Sequence, residues 1–399
     1  MVIGVIVGVI SLFYAYLINV FSYSLFLNHI FDKKYLIIIP ALGGLLVGLL
    51  IKYGSLTAKG HGIPAILDSI KTKDVRLSAR DLLVEGLASA ITIGTGGSAG
   101  RFGPVVEIGA GIGDILAYNF NFTLNDYQTL LGSGAAAGIA AIFNAPLAGI
   151  MFVCEVLFKK IEFTRLSSII ISALTANMIV HVLYGNKALF YFPQFTVNNH
   201  LEYLLYLILG LFVSIIAILF IKIFKHITNF FDNLKIPLIL KPALGGLIVG
   251  IAVYFVPEVS GTGINVISNI LKGKYVLGTL IIITLLKVMI TSITLGSGGS
   301  GGVFAPAIFI GTASGMMMGK IYQNIFPQIA NPSSYALVGM IAVFTAISHA
   351  PLTGILILLE MTRNYHLIVP ILMVVITSSL VTKKSKIKSV YSPELFKRY

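Results

Sequence analysis

Apolar segments long enough to cross a lipid bilayer recur along this chain, and no other feature restricts its fold as strongly. A transmembrane helix needs about 20 consecutive, mostly apolar residues. The clearest such segments are residues 2–31, 35–51, 128–158, 203–224, 276–295 and 337–360. Only 11% of the residues are charged, whereas a soluble domain has about a quarter. The chain is therefore predicted to be an all-α, multi-pass membrane protein, because a barrel would have short alternating segments instead.

The charge distribution agrees with a lipid bilayer as the environment and argues against a nucleic-acid partner. The net charge of +13 comes from 28 basic and 15 acidic residues, and the basic ones are scattered between the apolar segments. They are densest in residues 383–399, and this tail is predicted to be cytoplasmic because basic flanks favour that side. The N-terminus lacks the basic start of a signal peptide, so the first segment is expected to stay in the membrane. Residues 1–399 are expected to form one domain of the cell membrane, without a soluble regulatory domain.

Residue patterns that build enzyme sites are missing from the sequence. The single cysteine, Cys154, excludes an internal disulfide and a cysteine-based metal site. Gly296, Gly298 and Gly301 match the spacing G-x-G-x-x-G, but a dinucleotide site also needs a preceding strand in a soluble βαβ unit. There is no Walker motif, no metal-ligand cluster and no convincing catalytic triad. Neither enzymatic activity nor a cofactor or metal is expected.

The chain contains an internal duplication. "PALGGLLVG" at 40–48 returns as "PALGGLIVG" at 242–250, with eight of nine positions identical. Three further pairs follow in the same order, with an offset that stays between 201 and 205 residues: "GHGI" (60–63) with "GTGI" (261–264), "TIGTGGSAGRFGP" (92–104) with "TLGSGGSGGVFAP" (294–306), and "APLAGIMFVCE" (145–155) with "APLTGILILLE" (350–360). The repeats are predicted to cover residues 36–165 and 238–365. Duplicated halves are typical of transporters, whose substrate site lies between the halves near the bilayer midplane.

Glycine-rich runs followed by proline predict helices that begin inside the membrane. Pro64, Pro104 and Pro306 each follow such a run, and proline suits the first turn of a helix. The runs could instead serve only close helix packing. A helix start exposes backbone N–H groups and a partial positive charge, for which an anion is the natural ligand. No carboxylate lies in these three motifs, so they predict a site that attracts anions and releases them quickly.

These motifs resemble those of the CLC family of chloride channels and anion/proton exchangers. The family has G-S-G-I-P, G-R-E-G-P and G-x-F-x-P, and a tyrosine near the end of its membrane domain. Here they stand as "GHGIP" at 60–64, "GRFGP" at 100–104, "GVFAP" at 302–306 and Tyr391. The resemblance implies the CLC-type fold of two inverted homologous helical repeats. It also implies a homodimer with one pore per subunit.

The resemblance further implies where chloride, the expected permeant ligand, would bind. Backbone and hydroxyl groups of the motif residues would form the anion site: His61, Gly62, Ile63, Arg101, Phe102, Gly103, Val303, Phe304, Ala305 and Tyr391. Arg101 either draws anions toward the entrance or is structural. The large cytoplasmic domains of some family members are not found in this sequence.

Three residues depart from the family pattern. Phe102 stands where the family usually has a gating glutamate, which also carries the proton in exchangers. A phenyl ring can do neither, so Phe102 is predicted to gate as an apolar constriction, or else only to pack. Counted without gaps, Val156 stands where exchangers have their inner proton glutamate, and Glu155 matches a structural glutamate. His61 replaces the usual serine, so it is either a pH-sensitive pore residue or a helix cap, and anion selectivity is open.

The leading prediction is a passive anion channel, for chloride and uncoupled from protons, because both proton positions lack a carboxylate. One alternative is an anion/proton exchanger or secondary anion transporter with another proton path, through Glu107 or Glu155. A second alternative is a non-conducting membrane scaffold plugged by Phe102. Carboxylates inside a membrane are functional candidates by default, but Glu107, Glu155 and Glu360 are expected to cap or pair between helices.

Overall fold

The described part of the chain is almost entirely α-helical, as the apolar segments predict. The structure, a computed structural model, describes residues 1–22, 34–54, 62–71, 76–120, 122–185, 190, 192–193, 197–329 and 331–392. After α1 (Val2–Ser22), the helices of the first half are α2 (Tyr35–Gly54), α3 (Ile63–Lys71), α4 (Ala79–Gly94), α5 (Phe102–Asn119), α6 (Leu124–Phe143), α7 (Pro146–Phe152) and α8 (Phe163–Tyr184). The long α9 (Leu201–Asn233) leads to the second half: α10 (Leu240–Phe255), α11 (Ile264–Leu271), α12 (Leu277–Gly296), α13 (Phe304–Ile325), α14 (Pro332–Ser348), α15 (Pro351–Thr362) and α16 (Ile368–Lys384).

Helices of very different length make up this fold. Among the described residues, seven helical segments are long and apolar enough to cross a membrane: α1, α2, α8, α9, α12, α13 and α16 with the short turn before it. In contrast, α3, α7 and α11 have nine, seven and eight residues. At 1.5 Å per residue, such short helices cannot cross a hydrocarbon layer of about 30 Å. These three helices therefore cannot span the membrane on their own.

Two apolar segments that the sequence predicts as single spans, residues 128–158 and 337–360, are each broken in two. α6 ends at Asn144, which has a φ of 53°, and α14 ends at His349, which has a φ of 58°. In both places a proline begins the next helix two residues later. A left-handed residue ends a helix without interrupting the apolar run. The single-span prediction is therefore wrong for these two segments.

The two halves meet through matched helix crossings. A side chain at Gly44 in α2 would collide with the carbonyl oxygen of Pro242 in α10. In the same way, a side chain at Gly246 in α10 would collide with the carbonyl oxygen of Pro40 in α2. Each contact becomes the other when the halves are exchanged. The duplication in the sequence is thus an approximate two-fold symmetry of the structure.

The loops before α5 and α13 lie on the same approximate two-fold axis. Gly100 N–H donates a hydrogen bond to the Gly302 carbonyl oxygen over 2.7 Å, and Gly302 N–H donates to the Gly100 carbonyl oxygen over 2.8 Å. A side chain at Gly302 would lie 2.7 Å from the backbone nitrogen of Gly103, at the start of α5. The glycines thus let the two helix starts approach each other through bare backbone.

Other glycines serve close packing within each half. A side chain at Gly109 in α5 would collide with the Gly134 carbonyl oxygen of α6, and one at Gly134 with that of Gly109. Gly311 in α13 and Gly339 in α14 face each other in the same way. Small residues let helices approach closely where lipid provides no hydrophobic driving force. The packing role of glycine is confirmed at these crossings, beside its role at the helix starts.

Candidate functional site

Three helix starts and the C-terminal segment meet around one cavity. The residues that line it come from the N-terminal ends of α3, α5 and α13, from the end of α12, from the loop before α13, and from the segment after α16. They are Gly62, Ile63, Pro64, Phe102, Gly103, Leu295, Gly299, Gly301, Gly302, Val303, Val390 and Tyr391. Motifs that are more than 300 residues apart in the sequence thus share one wall, and none of these lining residues has an acidic side chain.

At the starts of α5 and α13, this cavity has backbone N–H groups that the N-cap side chains do not cap. The N-cap residues of α5 and α13, Arg101 and Val303, make no capping hydrogen bond with their side chains. The first N–H groups of a helix have no partner within it and carry a partial positive charge. Gly62 (φ 48°) and Gly301 (φ 144°) have backbone conformations that favour glycine. The cavity wall is therefore rich in hydrogen-bond donors and suited to an anion.

Tyr391 adds a hydroxyl group to this wall. The side chain is 6% exposed, and its Oη atom has no hydrogen-bond partner within the described residues. The segment around it is fixed by its backbone, because Val390 N–H donates to the Ile347 carbonyl oxygen over 2.9 Å. Tyr391 N–H donates to Ser389 Oγ over 3.2 Å. A buried hydroxyl without a partner is unfavourable, and a ligand in the cavity would supply that partner.

Phe102 both lines the cavity and packs in an aromatic cluster. Its ring stacks on Phe304, with centroids 4.5 Å apart, and lies 5.4 Å from Phe143 and 5.6 Å from Phe152. Phe304 also contacts Phe344, with centroids 4.5 Å apart. Phe102 is 1% exposed. Phe102 therefore packs in the aromatic cluster and also gives the cavity an apolar wall at this point.

Three of the predicted anion-site residues that the structure describes do not line this cavity. Phe304 and Ala305 lie in the first turn of α13 directly behind Val303, with Phe304 turned into the aromatic cluster. Arg101 is the N-cap residue of α5 and makes no capping hydrogen bond with its side chain. His61 lies outside the described residues, as do residues 393–399 of the basic tail. The structure thus brings together Gly62, Ile63, Phe102, Gly103, Val303 and Tyr391.

Glu155 and Glu360 cap each other's neighbouring helix. Glu155 accepts from the N–H groups of Leu352 (3.1 Å) and Thr353 (2.9 Å) at the start of α15. Glu360 accepts from two N–H groups at the start of α7, over 3.0 and 2.8 Å. The interpretation of these glutamates as capping residues is confirmed. Val156, buried within the π-helix Val153–Phe158, has no titratable group.

Two buried charged residues escape the motif search. Glu85 lies in α4, where it accepts from Ser300 Oγ over 2.6 Å, and Lys287 lies in α12. Neither belongs to a conspicuous motif. The signal that finds them is the repeat offset, because 202 residues separate Glu85 from Lys287, as they separate Thr92 from Thr294.

Comparisons with known proteins identify the family of this chain. Residues 43–383 match the family model of the voltage gated chloride channels. A ClcB-like chloride channel protein of Ralstonia nicotianae is 36% identical over 364 residues, which are 90% of this chain and 85% of the relative. The H(+)/Cl(-) exchange transporter ClcA of Vibrio cholerae is 36% identical over 79% of this chain and 69% of its own length.

A solved structure gives the same result for the fold. The crystal structure of a slow cyanobacterial Cl-/H+ antiporter superimposes with a TM-score of 0.90 at 28% sequence identity, over 99% of this chain and 95% of the other. The match includes both halves of the chain. The chain belongs to the voltage-gated chloride channel (CLC) family and has its membrane fold of two inverted helical repeats.

Proposed function

We propose that this protein transports chloride or a similar small anion through the cavity between its repeats, in exchange for protons. The observation that supports anion transport is the cavity wall itself. It combines uncapped helix starts with the unpartnered Tyr391 hydroxyl, and its described lining has no acidic side chain. An anion there would accept hydrogen bonds from neutral donors, and no side chain of the described lining would oppose it with a negative charge. Such binding is strong enough for entry and weak enough for release.

Exchange rather than passive flow is supported by the comparisons. The Vibrio cholerae relative is named an H(+)/Cl(-) exchange transporter, and the structure from a cyanobacterium is that of a Cl-/H+ antiporter. The proton path would differ from that of the family pattern, because Phe102 and Val156 cannot carry protons. Glu155 is an unsuitable substitute, since its carboxylate is engaged by the start of α15. Another titratable group would therefore carry the proton.

A passive anion channel is the second candidate. The observation that favours it is the absence of a carboxylate at both family proton positions, where Phe102 and Val156 stand. In that case Phe102 would act only as an apolar constriction that hinders a hydrated anion. A non-conducting scaffold is the third candidate, in which the ring of Phe102 would close the cavity permanently.

We also infer the assembly and orientation of the protein. The family resemblance supports a homodimer in the cell membrane, with one pore in each subunit. The basic residues after α16 support a cytoplasmic C-terminal tail, because positive flanks stay on that side of the membrane.

Reconstituted liposomes separate the three candidates in one experiment. Vesicles loaded with chloride are diluted into chloride-free medium, and chloride efflux and external pH are recorded together. Exchange gives chloride efflux with protons driven against their gradient. Chloride efflux without uphill proton movement would instead assign the protein as a passive channel. No efflux above that of empty vesicles would leave only the scaffold.

A further inference from the structure

Glu107 is a buried acid that contacts a residue of the cavity wall but does not line the cavity itself. It lies five residues after Phe102 in α5 and is 3% exposed. Its carboxylate accepts a hydrogen bond from Gly62 N–H, at the start of α3. Gly62 itself lines the cavity. Glu107 therefore holds one of the backbone donors that an anion at this helix start would use.

Glu85 is a second buried acid beside Glu107. It lies in α4, is 2% exposed, and accepts from Ser300 Oγ over 2.6 Å. Ser300 stands between two glycines that line the cavity. The helices are in contact at this level, since a side chain at Gly86 would lie 3.4 Å from Ile108 Cδ1, one residue after Glu107. Both acids thus hold the cavity wall, one from each of two packed helices.

The surroundings of this pair of acids indicate that it binds a proton. Oε2 of Glu85 and Oε2 of Glu107 are both buried, and neither has a hydrogen-bond partner in the part of the chain that the structure describes. The charged groups that act on Glu107 are Glu85 and, more weakly, Asp81, both from α4 and both acidic. Tyr14 of α1, whose hydroxyl lies 2.6 Å from Ser89 Oγ, is near both Glu85 and the cation Arg101, the N-cap residue of α5. Two buried carboxylates without a cation between them cannot both ionise at low cost, so the pair tends to keep a proton.

The second repeat has different residues at the positions that are equivalent to Glu85 and Glu107. The offset of 202 residues that relates Glu85 to Lys287 also relates Glu107 to Phe309. Lys287 Nζ lies 5.0 Å from the Phe309 ring centroid and donates to the carbonyl oxygens of Val259 (2.9 Å) and Gly261 (2.8 Å). There, one cation and one ring fix the loop before α11. Fixing a loop does not require two carboxylates, because the second carboxylate would repel the first. The pair in the first repeat therefore points to a role beyond fixing a loop.

We propose that Glu85 and Glu107 form the proton-binding pair of this transporter. They share one exchangeable proton, and Glu107 competes with the transported anion for Gly62 N–H. When the proton binds, Glu107 releases the N–H group to an anion, and when the proton leaves for water, Glu107 takes the N–H group back. Only an O–H bond forms or breaks. This inference rests on the proposed function, since it names the groups that would carry the exchanged proton.

Flux measurements on isosteric variants test the transport role of the pair. Glu85→Gln and Glu107→Gln are expected to keep chloride efflux and to lose uphill proton movement, together with the pH dependence of efflux. Glu202→Gln is the matched control, because Glu202 is also buried but both of its oxygens accept hydrogen bonds, from Asn198 and Asn199 N–H and from the Tyr335 hydroxyl. Parental proton movement and an unchanged pH profile in both test variants would overturn the proposal.

Infrared spectroscopy tests the shared proton without transport. Purified parent protein is expected to show the C=O band of a protonated carboxyl group at neutral pH, which fades as the pH is raised. The band should be absent from the double variant Glu85→Gln/Glu107→Gln and present in Glu202→Gln. Chloride should change the band, because the anion and Glu107 compete for Gly62 N–H. If the double variant kept the same band, Glu85 and Glu107 would not hold the proton, whatever the transport measurements show. If the double variant lost the band, the two residues would hold the proton even if the parent protein moved no chloride.

Discussion

At the scale of single residues, Tyr391 provides the most accessible test of the anion site. Its hydroxyl is buried without a partner among the described residues, whereas the backbone donors cannot be removed by substitution. Tyr391→Phe is expected to weaken anion binding by about 1.5–3 kcal/mol, the contribution of a hydrogen bond to a charged group. Calorimetric titration of the purified protein with chloride measures this change.

A second tyrosine serves as the control for Tyr391. Tyr322 is also buried, but its hydroxyl donates to the Leu205 carbonyl oxygen over 3.2 Å, away from the cavity. Tyr322→Phe should reduce thermal stability and leave chloride affinity unchanged. Equal chloride affinity in Tyr391→Phe and the parent would remove Tyr391 from the anion site.

Phe102 should limit the rate of transport. Phe102→Ala removes an apolar wall of the cavity and is expected to increase chloride efflux from liposomes. Phe344→Ala is the matched control, because Phe344 packs on the same ring of Phe304 but does not line the cavity. Either variant should lose about 3–5 kcal/mol of stability, as is usual for a buried phenylalanine. Efflux that rises equally in both variants would indicate general loosening instead of a gate.

The residue scale also marks what sequence alone can identify. Short motifs with glycine and proline located Gly62, Phe102 and Val303, because the backbone geometry of a helix start restricts the residue types there. Glu85 escaped, because a lone acid in an apolar helix has no local pattern. Its partner Glu107 is 22 residues away in the sequence, and only the packing of α4 on α5 brings the two together.

At the scale of helices, the reciprocal caps between α7 and α15 should be structural. Glu155→Gln and Glu360→Gln each replace charged acceptors of two N–H groups by a neutral amide. Each is expected to cost about 1.5–3 kcal/mol, which lowers the thermal unfolding midpoint in detergent. Proton movement should persist in Glu155→Gln vesicles. Loss of proton movement with stability unchanged would show that Glu155 carries the proton after all.

The crossing of α5 and α6 should tolerate no side chain. In Gly134→Ala the new methyl group would collide with the Gly109 carbonyl oxygen, so we expect a loss of about 1–3 kcal/mol from overpacking. Gly278→Ala is the control, since Gly278 is exposed in α12 and nothing lies within 4 Å of the added atom. That variant should match the parent or gain slightly from helix propensity. Equal unfolding midpoints of the two variants would contradict the observed crossing.

Helix boundaries were only partly predictable. Proline after glycine indicated the starts of α3, α5 and α13, because proline lacks the N–H group of a helix interior and glycine is entropically unfavourable there. The breaks after α6 and α14 were missed, because Asn144 and His349 turn the chain through a left-handed conformation inside an apolar run. Hydropathy reports the environment of a segment and not the path of its backbone.

At the scale of the whole molecule, the duplication predicted the architecture best. An offset that stays within five residues over four motif blocks leads directly to the reciprocal contacts of Gly44 with Pro242 and Gly246 with Pro40. The motifs on their own favoured a passive channel, because they report which side chains are missing at the family proton positions. They could not report which other carboxylates the fold brings to the cavity wall.

Coupling of anions to protons is the central claim, and the potential at which proton movement stops tests it most directly. Liposomes containing the parent protein are held at a series of membrane potentials by potassium gradients and valinomycin, under fixed chloride and pH gradients. For an exchanger, net proton movement should stop at one potential, and this potential should shift when either the chloride or the pH gradient is changed. Chloride flow with no protein-dependent proton movement at any potential would contradict the claim.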